Sequence, residues 1–120
     1  MRLLMKYNIN DLTNSLDDKP LAKIVFSGTE HLKAQVMRLR AGIQIPPCKM
    51  ENDVMFIIRK GKGRIVVENE ASEISEGDCI IVPHQAESRS ILAETDMEII
   101  AVQGLSHHGL SEEAQLLTVF

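Results

Sequence analysis

Apolar residues along this chain gather in short runs separated by glycine, proline and charged turns, and several runs alternate apolar with polar positions. A period of two places successive side chains on opposite faces of an extended strand. Residues 54–58 (Val-Met-Phe-Ile-Ile) read as a buried strand, closed by Gly61-Lys62-Gly63, a turn that uses glycine's access to positive φ. Residues 64–68 and 71–74 read as the arms of a hairpin about Asn69-Glu70. Gly77-Asp78 marks the next turn, 79–82 a further apolar strand, and Pro83 its end. Residues 88–92 and 97–102 follow, separated by the polar stretch 93–96. Upstream, 22–26 is a short apolar run, Ser27-Gly28-Thr29 breaks it, and 32–40 is long and β-compatible. Pro46-Pro47 excludes a helix from the next segment, because the first lacks an N–H and the second restricts its predecessor. About eight short strands with turns at short intervals, and no βαβ rhythm, predict an all-β sandwich or barrel.

The two ends read differently. Residues 10–16 carry one helical signal with Asn10 as its N-cap, and Asp17-Asp18-Lys19-Pro20 reads as a turn. At the other end Ser111-Glu112-Glu113 precedes Ala114-Gln115-Leu116-Leu117, an N-cap, two acids near the positive helix end, and a short C-terminal helix. Leu116, Leu117, Val119 and Phe120 are expected to dock on the barrel or on a partner subunit. The reading is a single domain over 1–120, with a core of about 32–103, an N-terminal extension 1–20 and a tail 104–120.

Composition changes this picture in three places. With three Phe, one Tyr, no Trp and six Met, aliphatic and thioether side chains must fill the interior. The same poverty in aromatics, with a net charge of −4, speaks against stacking on nucleic-acid bases. The charge is uneven: Lys33, Arg38, Arg40, Lys49, Arg59, Lys60, Lys62 and Arg64 face only Glu51 and Asp53 over residues 33–64. Such a region reads as a solvated sheet face balanced by acidic hairpins, or as an attractor for an anionic ligand or acidic partner. The apolar run near the N-terminus is too short for a secretory leader, and no stretch has the length of a membrane span. Two cysteines make no disulfide framework, so the expected compartment is the cytoplasm with both thiols reduced.

The spacing of residues 42–92 is similar to the two motifs of the cupin superfamily, the small jelly-roll or double-stranded β-helix proteins. The first family motif runs glycine, five residues, His-x-His, three or four residues, Glu, six residues, glycine. In this chain Gly42 is followed by five residues, Cys48-Lys49-Met50, three residues, Val54, six residues and Gly61. The second runs glycine, five residues, Pro-x-Gly, two residues, His, three residues, Asn. Here it is Gly77, five residues, Pro83-His84-Gln85, two residues, Ser88, three residues and Leu92. The resemblance implies a cupin barrel whose metal-ligand positions have become Cys48, Met50, Val54 and Ser88. Val54 offers no lone pair and a Ser hydroxyl is a poor ligand for iron or manganese, so no such metal site is expected.

Cys48, Met50, Val54, Phe56 and Ser88 are therefore the candidate lining of a sulfur-lined, uncharged cavity suited to a largely apolar small molecule. The reading that follows is a metal-free binding, sensing or assembly module, a homodimer as many cupins are. The alternative is an enzyme. It would use either a soft metal such as Cu(I) on Cys48 and Met50, two residues apart and so on one strand face, or a metal-independent isomerase-type site employing His84 or an arginine. Arg38 and Arg40 share a face and are candidate anion contacts; Arg59 is expected to point outward, and His84 to be an exposed loop residue. His31, His107 and His108 show no metal-binding spacing.

Overall fold

The computed structural model describes residues 4–105. The helix expected over 111–117, the apolar tail and His107 and His108 lie outside the described residues. The chain runs α1 (Ile9–Asn14), β1 (Leu21–Gly28), β2 (Leu32–Leu39), β3 (Gln44–Cys48), β4 (Val54–Lys60), β5 (Lys62–Val67), β6 (Glu70–Ser75), β7 (Cys79–Val82), β8 (Arg89–Ala93) and β9 (Met97–Gly104). All strand pairs are antiparallel and form two sheets, one ordered β1-β2-β9-β4-β7 and the other β3-β8-β5-β6. Among the described residues no helix is long and apolar enough to cross a membrane.

Alternation decides which side chains lie between the sheets. In β4, Val54, Phe56 and Ile58 are buried while Met55 and Ile57 are half-buried, and β9 repeats the pattern with Met97, Ile99, Ala101 and Gln103. Their partners on the facing sheet are Ile45, Ile65, Ile74, Ile91 and Ala93, and together these form the main core. Gly61, at φ 85°, joins β4 to β5 where a Cβ would enter the contact radius of the Asp96 carbonyl oxygen, with the Met97 Cα 3.0 Å away. Only glycine fits both the backbone angle and the approach. The β5–β6 turn is made by Glu68-Asn69, with Val67 opposite Glu70, one residue earlier than the sequence suggests; Glu68 takes φ 57° there.

The outer face of β1 and β2 is covered by α1, where Leu16, Ala22 and Val36 form a second small core with Leu12 beside them. The N-cap is Asn8 rather than Asn10: its Oδ1 accepts the Asp11 N–H at 3.1 Å. Asn10 instead accepts a 2.7 Å hydrogen bond from Arg59 Nη2, so Arg59 does point outward, onto the helix. At the edge of the second sheet, β3 carries Pro46-Pro47 inside a register shift between Ile45 and Cys48.

Candidate functional site

One end of the space between the sheets is polar. The register puts Lys33, Gln103 and Val54 side by side across β2, β9 and β4, and Gln35, Ala101 and Phe56 in the next row on the same face. Residues directly opposite on one face of an antiparallel pair approach to about 5 Å at Cβ, so each row is contiguous. Ala101, the smallest member, stands between Gln35 and Phe56. From the facing sheet, Cys48 and Val67 flank Arg89. The Arg89 guanidinium carbon lies 5.5 Å from the centre of the Phe56 ring, so this side chain reaches across the interior. A cation over an aromatic face is a favourable contact. Beside it the Cys48 Sγ and Met50 Sδ are 4.0 Å apart.

Four polar side chains are thus withdrawn from solvent here: Lys33 and Gln35 at 0% exposure, Arg89 and Gln103 at 1%. Burial pushes the Lys33 ammonium below its ordinary value, helped by the neighbouring charge of Lys23. Burial likewise lowers Arg89, against an opposing contribution from Cys48. Among the described residues, neither amide atom of Gln35 nor the amide oxygen of Gln103 has a hydrogen-bond partner, and no Asp or Glu is buried. The expectation of an uncharged, sulfur-lined interior is therefore corrected: the sulfurs are there, beside two cations and two amides.

The cause is partly a one-residue offset in β8. Arg89, Ile91 and Ala93 face inward, whereas Ser88 precedes the strand, is half-buried, and accepts the Glu68 N–H at 2.8 Å through its carbonyl oxygen. Lys33, Gln35 and Gln103 were missed for another reason. Their apolar neighbours Ala34, Val36 and Val102 fill the other strand face, so neither strand displays clean alternation. The parity of Met37 and Leu39 with Lys33 and Gln35 was the available signal. Val54, Phe56 and Met50 are buried and Cys48 half-buried against the same core.

Arg38 and Arg40 lie on the opposite face of β2, with Val36, and do not reach this interior. Arg38 donates to the carbonyl oxygens of Thr13 and Asp17 at 3.2 and 3.1 Å, holding the end of α1. Arg40 pairs with Asp96 at 3.2 Å. The hollow of about 160 Å³ that they border also contains Asp96 and Glu98, and Glu98 pairs with Lys60 at 3.6 Å. Its cations are already engaged, Arg40 and Lys60 by carboxylates and Arg38 by carbonyl oxygens, so it makes a poor anion site. At the rim of the polar end, next to the Val54–Val82 pair, Asp53 Oδ1 accepts the His84 N–H at 2.8 Å and lies 2.9 Å from His84 Nδ1. The His84 side chain, then its backbone N–H, hold the Asp53 carboxyl below the usual range. Both residues are exposed.

No protein-family model matches this chain, and no curated protein matches it. Solved structures do. It is similar to the cupin domain of Cnp3 from Schizosaccharomyces pombe, with 18% identity over 96% of this chain and 82% of that one and a TM-score of 0.74. The fold is a cupin fold. KdgF from Halomonas sp. is similar at 21% identity over 87% of this chain and 98% of that one, with a TM-score of 0.72. An RmlC-like cupin from Shewanella frigidimarina has 13% identity over 79% of this chain and 86% of that one, with a TM-score of 0.70. The all-β class read from the strand pattern, and the jelly-roll fold that the resemblance implies, are thereby shown. The cupin metal positions do not fit a divalent ion in this chain: Val54 has no donor atom, Ser88 sits outside the strand, and the interior already holds buried positive charge. Among the described residues no three His, Cys, Asp or Glu side chains converge as a metal cluster.

Proposed function

We propose that this cupin-fold protein is a metal-free small-molecule-binding module, serving sensing or assembly, whose ligand sits between the sheets at the end marked by Lys33, Gln35, Arg89 and Gln103. The observation that carries the reading is the Gln35 amide: fully buried, on the inward face, and without a hydrogen-bond partner among the described residues. A buried amide left unmatched costs about 1–3 kcal/mol, so a chain that keeps one there has a use for it. Cytoplasmic location and a homodimeric state belong to the same reading, and mass in solution tests the latter. The test of function is a ligand screen by thermal shift, coupled to elemental analysis of protein purified without chelators. Expected are a bound organic ligand and no stoichiometric transition metal; one metal per chain overturns the reading. Cu(I) on Cys48 and Met50 is the soft-metal version of the opposing view, and equal, weak Cu(I) uptake by wild type and Cys48→Ala removes it.

A second reading, an acid–base enzyme on the same scaffold, is favoured by the 2.9 Å contact between His84 and Asp53. A carboxylate beside Nδ1 orients the ring and leaves Nε2 to exchange a proton. If this reading holds, His84→Gln retains ligand affinity but stops its chemical conversion, followed by mass spectrometry of the ligand.

A further inference from the structure

Two neutral amides at the polar end specify a partner by their unmet donors and acceptors. Gln35 is buried on the inward face of β2, and Gln103 on the inward face of β9. The register sets Gln35 opposite Ala101 and Gln103 opposite Lys33, so the two amides are diagonal neighbours on one sheet face. Diagonal positions lie about 7–8 Å apart, within reach of long side chains and close enough for one small group to meet both. Lys33, Phe56 and Arg89 already have partners within the fold, so the demand rests with the amides. Among the described residues the Gln35 Nε2 donor, the Gln35 Oε1 acceptor and the Gln103 Oε1 acceptor have no hydrogen-bond partner. Leaving such atoms unmatched away from water is costly, and a molecule that matches them removes that cost.

The complement of these atoms is one acceptor and two donors. A carboxylate only accepts and would set oxygen against both glutamine oxygens, whereas a single hydroxyl has one donor and leaves one of them unmet. A primary carboxamide has a carbonyl oxygen and two N–H groups. Its carbonyl and the N–H on the same side match the Gln35 Nε2–H and Oε1 as a planar two-point pair, and its other N–H is left for Gln103 Oε1. A vicinal diol has enough donors, but its rotors must be frozen to match an edge that the planar amide already matches. Beyond the amides the same face is apolar. Ala101 projects only a methyl group between Gln35 and Phe56, and Val54 is the register partner of Gln103 on β4. Phe56 and Val54 are both buried, so a group attached to the carboxamide meets hydrocarbon rather than water.

We infer that the ligand carries a primary carboxamide on an apolar body: carboxamide on Gln35 and Gln103, hydrocarbon toward Phe56 and Val54. The inference rests on the binding-module reading and names its ligand class. Calorimetric titration of the full chain with benzamide, N-methylbenzamide, N,N-dimethylbenzamide, benzoate and 1-phenylethane-1,2-diol separates the possibilities, because one ring is kept while the donors change. Benzamide is expected to bind most tightly. The dimethyl derivative, which keeps the carbonyl and has no N–H, should bind at least about tenfold more weakly, with the monomethyl derivative between them. Gln35→Met is expected to lose about tenfold or more in affinity for benzamide, and Gln103→Met less, since it removes one matched atom rather than two. No binding of benzamide, benzamide that binds no better than its dimethyl derivative, tighter binding of benzoate or the diol, or undiminished binding by Gln35→Met overturns the ligand class and leaves the binding module standing. Failure of the wider screen to yield any ligand overturns the module itself. If Gln35→Met does not fold, the order of the amide series on the wild type and on Gln103→Met decides.

Discussion

Replacing Gln35 by Met tests whether the buried amide is kept for binding at the expense of stability. Gln35 lies on the inward face of β2 at 0% exposure, with both side-chain polar atoms unmatched among the described residues. Each such atom costs about 1–3 kcal/mol relative to its state in water, and Met is close to Gln in length and volume, so strain on replacement is small. At the low end of that range for the two atoms together, Gln35→Met should raise the unfolding free energy of the ligand-free protein by about 2 kcal/mol. For a domain of this size that is roughly 8 °C in Tm. Urea and thermal unfolding measure it, with an unchanged m-value as the check that the same surface is exposed. Met37, two residues along on the same face and equally buried, is the internal control: Met37→Gln should lose about 2 kcal/mol or more. A Gln35→Met protein that is less stable than wild type would refute the reasoning, because the amide would then be satisfied by ordered water or by residues beyond those described. The same substitution should abolish ligand stabilisation, so its advantage disappears once ligand is present.

Other consequences follow from particular positions. Gly61→Ala and Gly77→Ala both place an L-residue at positive φ, but only at Gly61 does the new methyl meet backbone, at Asp96 and Met97. Gly77→Ala should cost about 1–2 kcal/mol, and Gly61→Ala clearly more; equal costs by urea unfolding would argue against the close approach. The Ala41 N–H, then Arg40, hold the Asp96 carboxyl below its usual range. This favours the folded state above the ordinary aspartate value of about 3.9 and is lost as pH falls through the lower folded value. Asp96→Asn should therefore flatten the acid limb of the stability profile, and an unchanged limb contradicts this. Phe56→Ala removes a fully buried ring and the platform under Arg89, and should destabilise by about 3–5 kcal/mol in the same assay.

The barrel was legible because its signals are local and redundant. Gly61 and Gly77 punctuate the chain where the backbone needs positive φ, and Val54, Phe56 and Ile58 alternate strictly. The candidate site was legible only in part. Val54, Phe56, Met50 and Cys48 emerged from motif spacing, and they do meet in one core. Arg89 did not, because counting two residues from Gln85 assumes that Ser88 belongs to the strand, and a single residue outside it reverses every side chain that follows. Lys33, Gln35 and Gln103 escaped because polar residues facing inward and apolar residues facing outward reverse the usual rule; α1 covers Val36 on the far side. The helix cap slipped from Asn10 to Asn8 since either asparagine satisfies the composition, and only the Asp11 N–H distinguishes them.

The pair Pro46-Pro47 in β3 has a bearing on how the molecule behaves in a crowded solution. β3 ends its sheet, and a bare strand margin with free N–H groups is a template on which another chain can stack. Two consecutive proline nitrogens, set where the ladder is already out of step, offer no N–H for such a neighbour to bond. The segment that brings Cys48 to the polar end thus also strips two donors from that border of the barrel.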